Sequence, residues 1–155
     1  MVIYDLPDRT IKIKNIVLDF NGTLACDGSL LPGVEERLKS LAERCNVYVL
    51  TSDTYNTAAI ACRGLPVTLI TVDKNAGGLD KERIIDRLGP ENTAAIGNGV
   101  NDALMLKRAA LGLLVLGPEG SAVSALKGAD VIFPDILSAL DFLLHPKRVV
   151  ATMRP

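Results

Sequence analysis

Residues far apart in the chain carry side chains that suit one kind of chemistry. Asp19 follows the apolar run "NIVL", Thr51, Ser52 and Asp53 follow "VYVL", and Asn98, Asn101 and Asp102 follow "TAAIG". A lysine between the second and third groups could join them: Lys81 in "DKERIIDRL", with Lys74 as the alternative. Phosphoryl transfer needs a carboxylate nucleophile, a divalent cation, a fixed positive charge and donors for the phosphoryl oxygens. Each of these residue types is present. A carboxylate attacking phosphorus suffers charge repulsion, which a hard cation shared with the phosphate oxygens relieves; oxygen ligands favour magnesium over transition metals. Gly22 lets backbone amides approach a phosphate, and the Thr51 hydroxyl adds a donor.

The stretch "LDFNGTL", Leu18 to Leu24, has a competing reading. Asn-Gly between apolar runs is a strong hairpin signal. However, "TLACDGSLLPG" holds a second turn and a helix start, not a returning strand, so the loop reading is preferred. Plainer roles also exist for the other residues. Asp19 could form an Asx-type turn, and Asn101 or Asp102 could cap a helix. Thr51 or Ser52 could cap a helix beginning near Thr54, and Lys81 could sit on a solvated helix face.

These residues must be positioned by alternating strands and helices. "VIYDL", the turn "PDRT" and "IKIK" predict a small N-terminal β-hairpin leading into the strand "NIVLDF". "LPGVEERLKSLAERC" follows as a helix, with Val34, Leu38 and Leu41 at helical spacing, and "NVYVLT" as a strand. "TYNTAAIACRG", "DKERIIDRLG" and "NDALMLKRAA" read as helices, and "PVTLITV", "TAAIGNG" and "LGLLVLG" as strands. "SAVSALKGA", "VIF" and "ILSALDFLLH" complete the alternation. Short apolar strands between helices imply an α/β fold: a Rossmann-like, doubly wound, mostly parallel sheet with helices on both faces. In such sheets ligands bind beyond the carboxyl ends of the strands, where Asp19 falls. One domain over residues 1–155 is expected, with a core of about 15–145 and a C-terminal tail of 146–155, in "HPKRVVATMRP", that docks or frays.

A chain of 155 residues, 48% hydrophobic and 23% charged, can bury a substantial core. The net charge of -1, with Lys and Arg spread along the chain, argues against binding nucleic acid or an anionic membrane. No run reaches the ~18 apolar residues of a membrane span. Cys26, Cys45 and Cys62 form no CxxC pair, and His145 is the single histidine, which argues for a reducing compartment and against a zinc site. A cytoplasmic protein is expected.

"LDFNGTL", "VYVLTSD", Lys81 and "IGNGVNDALML" resemble, in order and spacing, the four motifs of the haloacid dehalogenase superfamily of phosphohydrolases. "GNGVNDALMLKRAALGLLVLG" is similar to the "GDGxND" segment of P-type ATPase phosphorylation domains, as in a stand-alone version of that domain. The resemblance implies that Asp19 is a nucleophile forming an aspartyl-phosphate. It implies that Phe20, Gly22, Thr23, Thr51 and Ser52 lie on the phosphate side and that Lys81 neutralises the charge. Mg²⁺ would be held by Asp19, the main-chain carbonyl of Asn21, and Asn98 and Asp102 of the "GNGVND" loop. The intervals between motifs leave no room for the cap domain that many members carry. An open site of this kind suits a bulky phosphorylated small molecule, a phosphoprotein, or a lid from a second subunit in a homo-oligomer.

The chain departs from the family pattern at two positions. Hydrolytic members usually have an aspartate two residues after the nucleophile, where this chain has Asn21, which moves no protons at neutral pH. Losing a general acid/base costs about 10²- to 10⁴-fold in rate. Asn98 likewise replaces an aspartate of the metal loop. Two readings follow: a Mg²⁺-dependent phosphatase of modest activity, or a regulatory or binding protein phosphorylated at Asp19 without efficient release. A two-component receiver domain fits less well, because receivers need an acidic pair where Asp19 has only Asn21 nearby.

Overall fold

The computed structural model describes residues 1–53 and 56–155. Strands β1 (Val2–Asp5) and β2 (Thr10–Ile13) form the expected antiparallel hairpin, with Tyr4 opposite Ile11. β3 (Asn15–Asp19) is buried along its whole length. Beyond it lies a miniature hairpin, β4 (Ala25–Cys26) and β5 (Ser29–Leu30). α1 (Val34–Ala42) and β6 (Asn46–Thr51) follow, then α2 (Thr57–Ala61) and β7 (Thr68–Thr71). α3 (Gly77–Leu88), β8 (Thr93–Gly97), α4 (Ala103–Arg108) and β9 (Leu111–Val115) come next. α5 (Val123–Gly128), β10 (Val131–Phe133), α6 (Ile136–Leu144) and α7 (Pro146–Met153) complete the chain.

The main sheet has the order β10-β9-β8-β3-β6-β7, and every neighbouring pair is parallel. Side chains alternate between its two faces, and both faces are covered. Ile16 and Leu18 of β3 pack on one side with Val34, Leu38 and Leu41 of α1 and with Leu140 and Leu143 of α6. Val17 points the other way, towards Ile85 of α3 and Met105 and Leu106 of α4. The α4–α5 layer sits close to the sheet. A Cβ on Gly112 would lie 2.3 Å from the Leu106 carbonyl oxygen, and one on Gly128 2.5 Å from that of Ala103. On the opposite face, the Arg37 guanidinium donates to both oxygens of Asp141 at 2.8 and 3.0 Å, tying α1 to α6.

The chain runs outward from β3 to β6 and β7, then returns to the other side of β3 for β8, β9 and β10. That reversal opens a crevice beyond the carboxyl ends of β3 and β8, where open α/β sheets place ligands. No inserted domain stands between β3 and β6 or between β6 and β8 among the described residues. None of the described helices is long and apolar enough to cross a membrane.

Several local expectations are corrected. The loop reading of Asn21-Gly22 holds, but the second turn of "TLACDGSLLPG" does carry a short returning strand: Asp27-Gly28 closes β4–β5, both residues having positive φ, 50° and 81°, as a two-residue hairpin requires. The helix expected near Thr54 is described only from Thr57; Thr54 and Tyr55 lie outside the described residues. α3 begins at Gly77, a turn earlier than the charged stretch suggests, which moves Lys81 into the helix proper. The C-terminal stretch forms α7, which buries Val149 and contacts β1.

Candidate active site

Three strand ends deliver the site. Asp19 ends β3, Thr51 ends β6, and the loop after β8 carries Asn98 to Asp102. Lys81 comes from α3, which lies against the turn Val100–Asp102. Its side chain is 1% exposed, and its Nζ donates to Asp19 Oδ1 at 2.6 Å and to Asp102 Oδ1 at 2.7 Å. The solvated-face alternative for Lys81 is thereby ruled out, while Lys74 is exposed on the turn before α3.

Asp102 is fully buried. Its Oδ2 accepts from the backbone amides of Asn98 and Gly99 at 3.0 and 2.9 Å. Gly97 makes this fold-back feasible, because a Cβ there would lie 2.5 Å from Asp102 Cγ. Both oxygens of Asp102 are therefore committed, one to Lys81 and the other to the loop. The atom of this loop that faces Asp19 across Thr23 is instead Asn98 Oδ1.

The turn after Asp19 is built around Gly22, whose φ of 80° suits glycine. The Phe20 carbonyl accepts from the amides of Thr23, Leu24 and Ala25, and the Gly22 amide donates to Ala25. These amides are consumed within the turn. Among the described residues, the Asn21 N–H is the amide of Asn21 to Ala25 with no protein acceptor. Asn21 itself is exposed at the mouth of the crevice. Phe20, expected on the phosphate side, is corrected: its side chain is fully buried in the core and its N–H donates to Leu50 O, so neither can meet a substrate.

Thr51 is buried, and its Oγ1 accepts from the Asp53 amide at 3.0 Å, leaving its own hydrogen to donate. Ser52 is half-buried beside it. The carboxylate of Asp53, rather than Thr51 or Ser52, accepts from the Ala58 amide in the first turn of α2. His145 is exposed at the end of α6, and the three cysteines are free and outside the cluster.

Burial pushes the Asp19 carboxyl up, and the charge of Asp102 adds to the rise; Lys81 and Thr23 pull it back, and the balance is about 7. For Lys81, desolvation opposes the charge, but Asp19 and Asp102 outweigh it and hold its pKa above the ordinary value. Asp19 thus binds its proton more tightly in the folded than in the unfolded chain. The stability it contributes is present below its ordinary value of 3.8 and is lost as pH rises to about 7. Thermal unfolding with chelator present should therefore show Asp19→Asn gaining on wild type from pH 5 to pH 8, by several degrees.

The donor set suits a hard cation by type. The Thr23 hydroxyl has one hydrogen for two acceptors, Asp19 Oδ2 at 3.3 Å and Asn98 Oδ1 at 3.2 Å, so oxygen atoms outnumber protons here. No histidine or cysteine joins them, which disfavours transition metals. The charge is low: two carboxylates against one ammonium leave a single net negative charge, and no cluster of three His, Cys, Asp or Glu occurs among the described residues.

A feature missed in the sequence is the loop of residues 116–122, "LGPEGSA", which crosses the site beside the Gly22 turn. A Cβ on Gly117 would lie 3.1 Å from the Gly22 carbonyl oxygen, and Gly120 accepts from Asn98 Nδ2 at 2.9 Å. Its Gly-Pro and second glycine are turn signals, but they carry no hint of what the turn touches.

An uncharacterized protein of Methanocaldococcus jannaschii is 41% identical over 90 residues, 54% of this chain and 97% of that protein. The 3-deoxy-D-manno-octulosonate 8-phosphate phosphatase of Moraxella catarrhalis, in complex with magnesium, phosphate and sugar, superposes with a TM-score of 0.68 at 15% identity, covering 90% of each chain. The catalytic domain of a CPx-ATPase superposes with a TM-score of 0.62 at 24% identity, covering 75% of this chain and 46% of that one. The family model for haloacid dehalogenase-like hydrolases matches residues 24–110, from just beyond Asp19 through Thr51, Lys81 and Asp102. On that match over more than half its length, the chain belongs to the haloacid dehalogenase-like hydrolases.

Proposed function

We propose that this protein is a Mg²⁺-dependent phosphohydrolase that works through an aspartyl-phosphate on Asp19. The observation that carries the reading is the buried Lys81 ammonium bridging Asp19 and Asp102 at the carboxyl ends of the strands. Asp19 attacks phosphorus and the bond to the leaving group breaks; the leaving oxygen takes its proton from solvent, since Asn21 has none to give. Lys81 offsets the charge of carboxylate and phosphoryl group, while the Thr51 hydroxyl and the Asn21 N–H donate to phosphoryl oxygens. Water then attacks phosphorus, returning Asp19 to its carboxylate and releasing phosphate.

Asp19, the main-chain carbonyl of Asn21 and Asn98 would hold Mg²⁺, with Asp102 supplying charge behind Lys81. When bound, the cation would screen the nucleophile from the phosphate. That the Moraxella phosphatase was crystallised with magnesium and phosphate supports the assignment. A phosphorylated small molecule or phosphoprotein is the substrate class, a second subunit could complete the open mouth, and three free cysteines suit the cytoplasm.

Asn21 favours a second reading, in which the phospho-aspartate forms but is released slowly. Asn21→Asp separates the two. If hydrolysis of an aryl phosphate with Mg²⁺ is limited by the missing acid/base, this variant should turn over about 10²-fold faster or more. No activity in either form would remove the enzyme reading.

A further inference from the structure

Asn98 lies between two loops that reach it through glycines. Its Nδ2 donates to the Gly120 carbonyl at 2.9 Å, its Oδ1 accepts from Thr23 Oγ1 at 3.2 Å, and its backbone carbonyl accepts from the Ala122 amide at 2.8 Å. A Cβ on Gly22 would lie 2.6 Å from Nδ2, so the amide is wedged against the phosphate-side turn. The orientation is fixed by its partners: reversed, the amide would set its oxygen against the Gly120 carbonyl.

An aspartate at this position could not make the bond to Gly120, because two acceptor oxygens would then face each other. Asn98 is therefore more than an aspartate without its charge. We propose that Asn98 is a positioning residue that latches the loop of residues 116–122 to the Thr23 turn, holding its amide oxygen towards Asp19. Loop and oxygen cluster then move as one unit. The Gly120 carbonyl does for Asn98 what the outer partner of a metal ligand does elsewhere: it sets which atom faces the site. A cation drawn to Asp19 and Asn98 would tighten the loop, and a loose loop would weaken the hold on the cation.

The latch itself follows from the hydrogen bonds; only its coupling to a cation rests on the function proposed above. The test is backbone hydrogen exchange across residues 117–122 in wild type, Asn98→Asp and Asn98→Ala, each with and without Mn²⁺, with Mn²⁺ affinity measured by electron paramagnetic resonance. Both variants should exchange faster than wild type in this segment without metal. Mn²⁺ should slow exchange in wild type but not in Asn98→Ala, and Asn98→Asp should bind Mn²⁺ about tenfold more tightly despite its looser loop. The added carboxylate charge accounts for that tighter binding, whereas a purely structural latch would leave exchange across residues 117–122 of wild type unchanged by Mn²⁺. Wild-type exchange rates in both variants would overturn the latch. Faster exchange in both, with no response to Mn²⁺ in any form, would uphold the latch and remove the cation from this site.

Discussion

Replacing Asp19 with asparagine should abolish phosphoryl transfer while leaving the protein folded. The amide occupies the same volume at the end of β3; its oxygen can still accept from Lys81 and its NH₂ can donate to the Thr23 hydroxyl, so the cluster keeps its shape. What it loses is the nucleophilic oxygen, and removing a nucleophile costs on the order of 10⁴-fold or more. Release of nitrophenol from an aryl phosphate, with Mg²⁺ at saturation, measures the loss. Residual activity within tenfold of wild type would place the nucleophile elsewhere.

Lys81→Met should be the most destabilising change in the site. The methionine fills the space beneath the strand ends but leaves Asp19 and Asp102, both buried, without the ammonium that lies 2.6 and 2.7 Å from them. Breaking a buried pair by removing one partner costs about 3–5 kcal/mol, roughly 10 °C in a chain of this size. The sign of the pH dependence follows from Asp19. Without Lys81 its carboxyl is pushed up further than in wild type, so the deficit is level from pH 5 to 7 and grows as the pH rises past about 7 towards 9. Calorimetry across that range checks both the size and the slope. A deficit independent of pH would mean that Lys81 stabilises by packing alone. Phosphoryl transfer should be lost as well, because Lys81 is the ammonium beside the nucleophile.

The fold was legible because the strands are short apolar runs, covered on both faces and separated by helices with one apolar stripe. β3, β6, β8 and β9 fall where the pattern placed them, and their carboxyl ends bring Asp19, Thr51 and Asp102 together. Lys81 was harder to place. A lysine among Asp80, Glu82 and Arg83 looks solvated until the helix is seen to start at Gly77, which turns Lys81 inward and leaves Asp80 and Arg83 to pair outside. Phe20 was placed on the wrong side because motif adjacency says nothing about side-chain direction. Being next to Asp19 in the chain, it points into the core instead.

The role of Asn98 was the least legible. In sequence it is an aspartate lacking a charge; its bond to Gly120 joins residues 22 positions apart and depends on a loop whose course no local pattern fixes. The Asp27-Gly28 hairpin shows the opposite case. There the turn chemistry is strictly local and the dipeptide announces it; the turn was legible, and only the two-residue strands it joins were too short to leave a pattern.

The most direct measurement is the position of the phosphoryl group. Wild type incubated with Mg²⁺ and acetyl phosphate, quenched in acid and reduced with borohydride, converts an aspartyl-phosphate into homoserine, which peptide mass spectrometry locates by residue. Homoserine at position 19, and its absence from Asp19→Asn, is the expected result. Homoserine at Asp102 or Asp53, or none at any aspartate while phosphate is still released, would contradict Asp19 as the nucleophile.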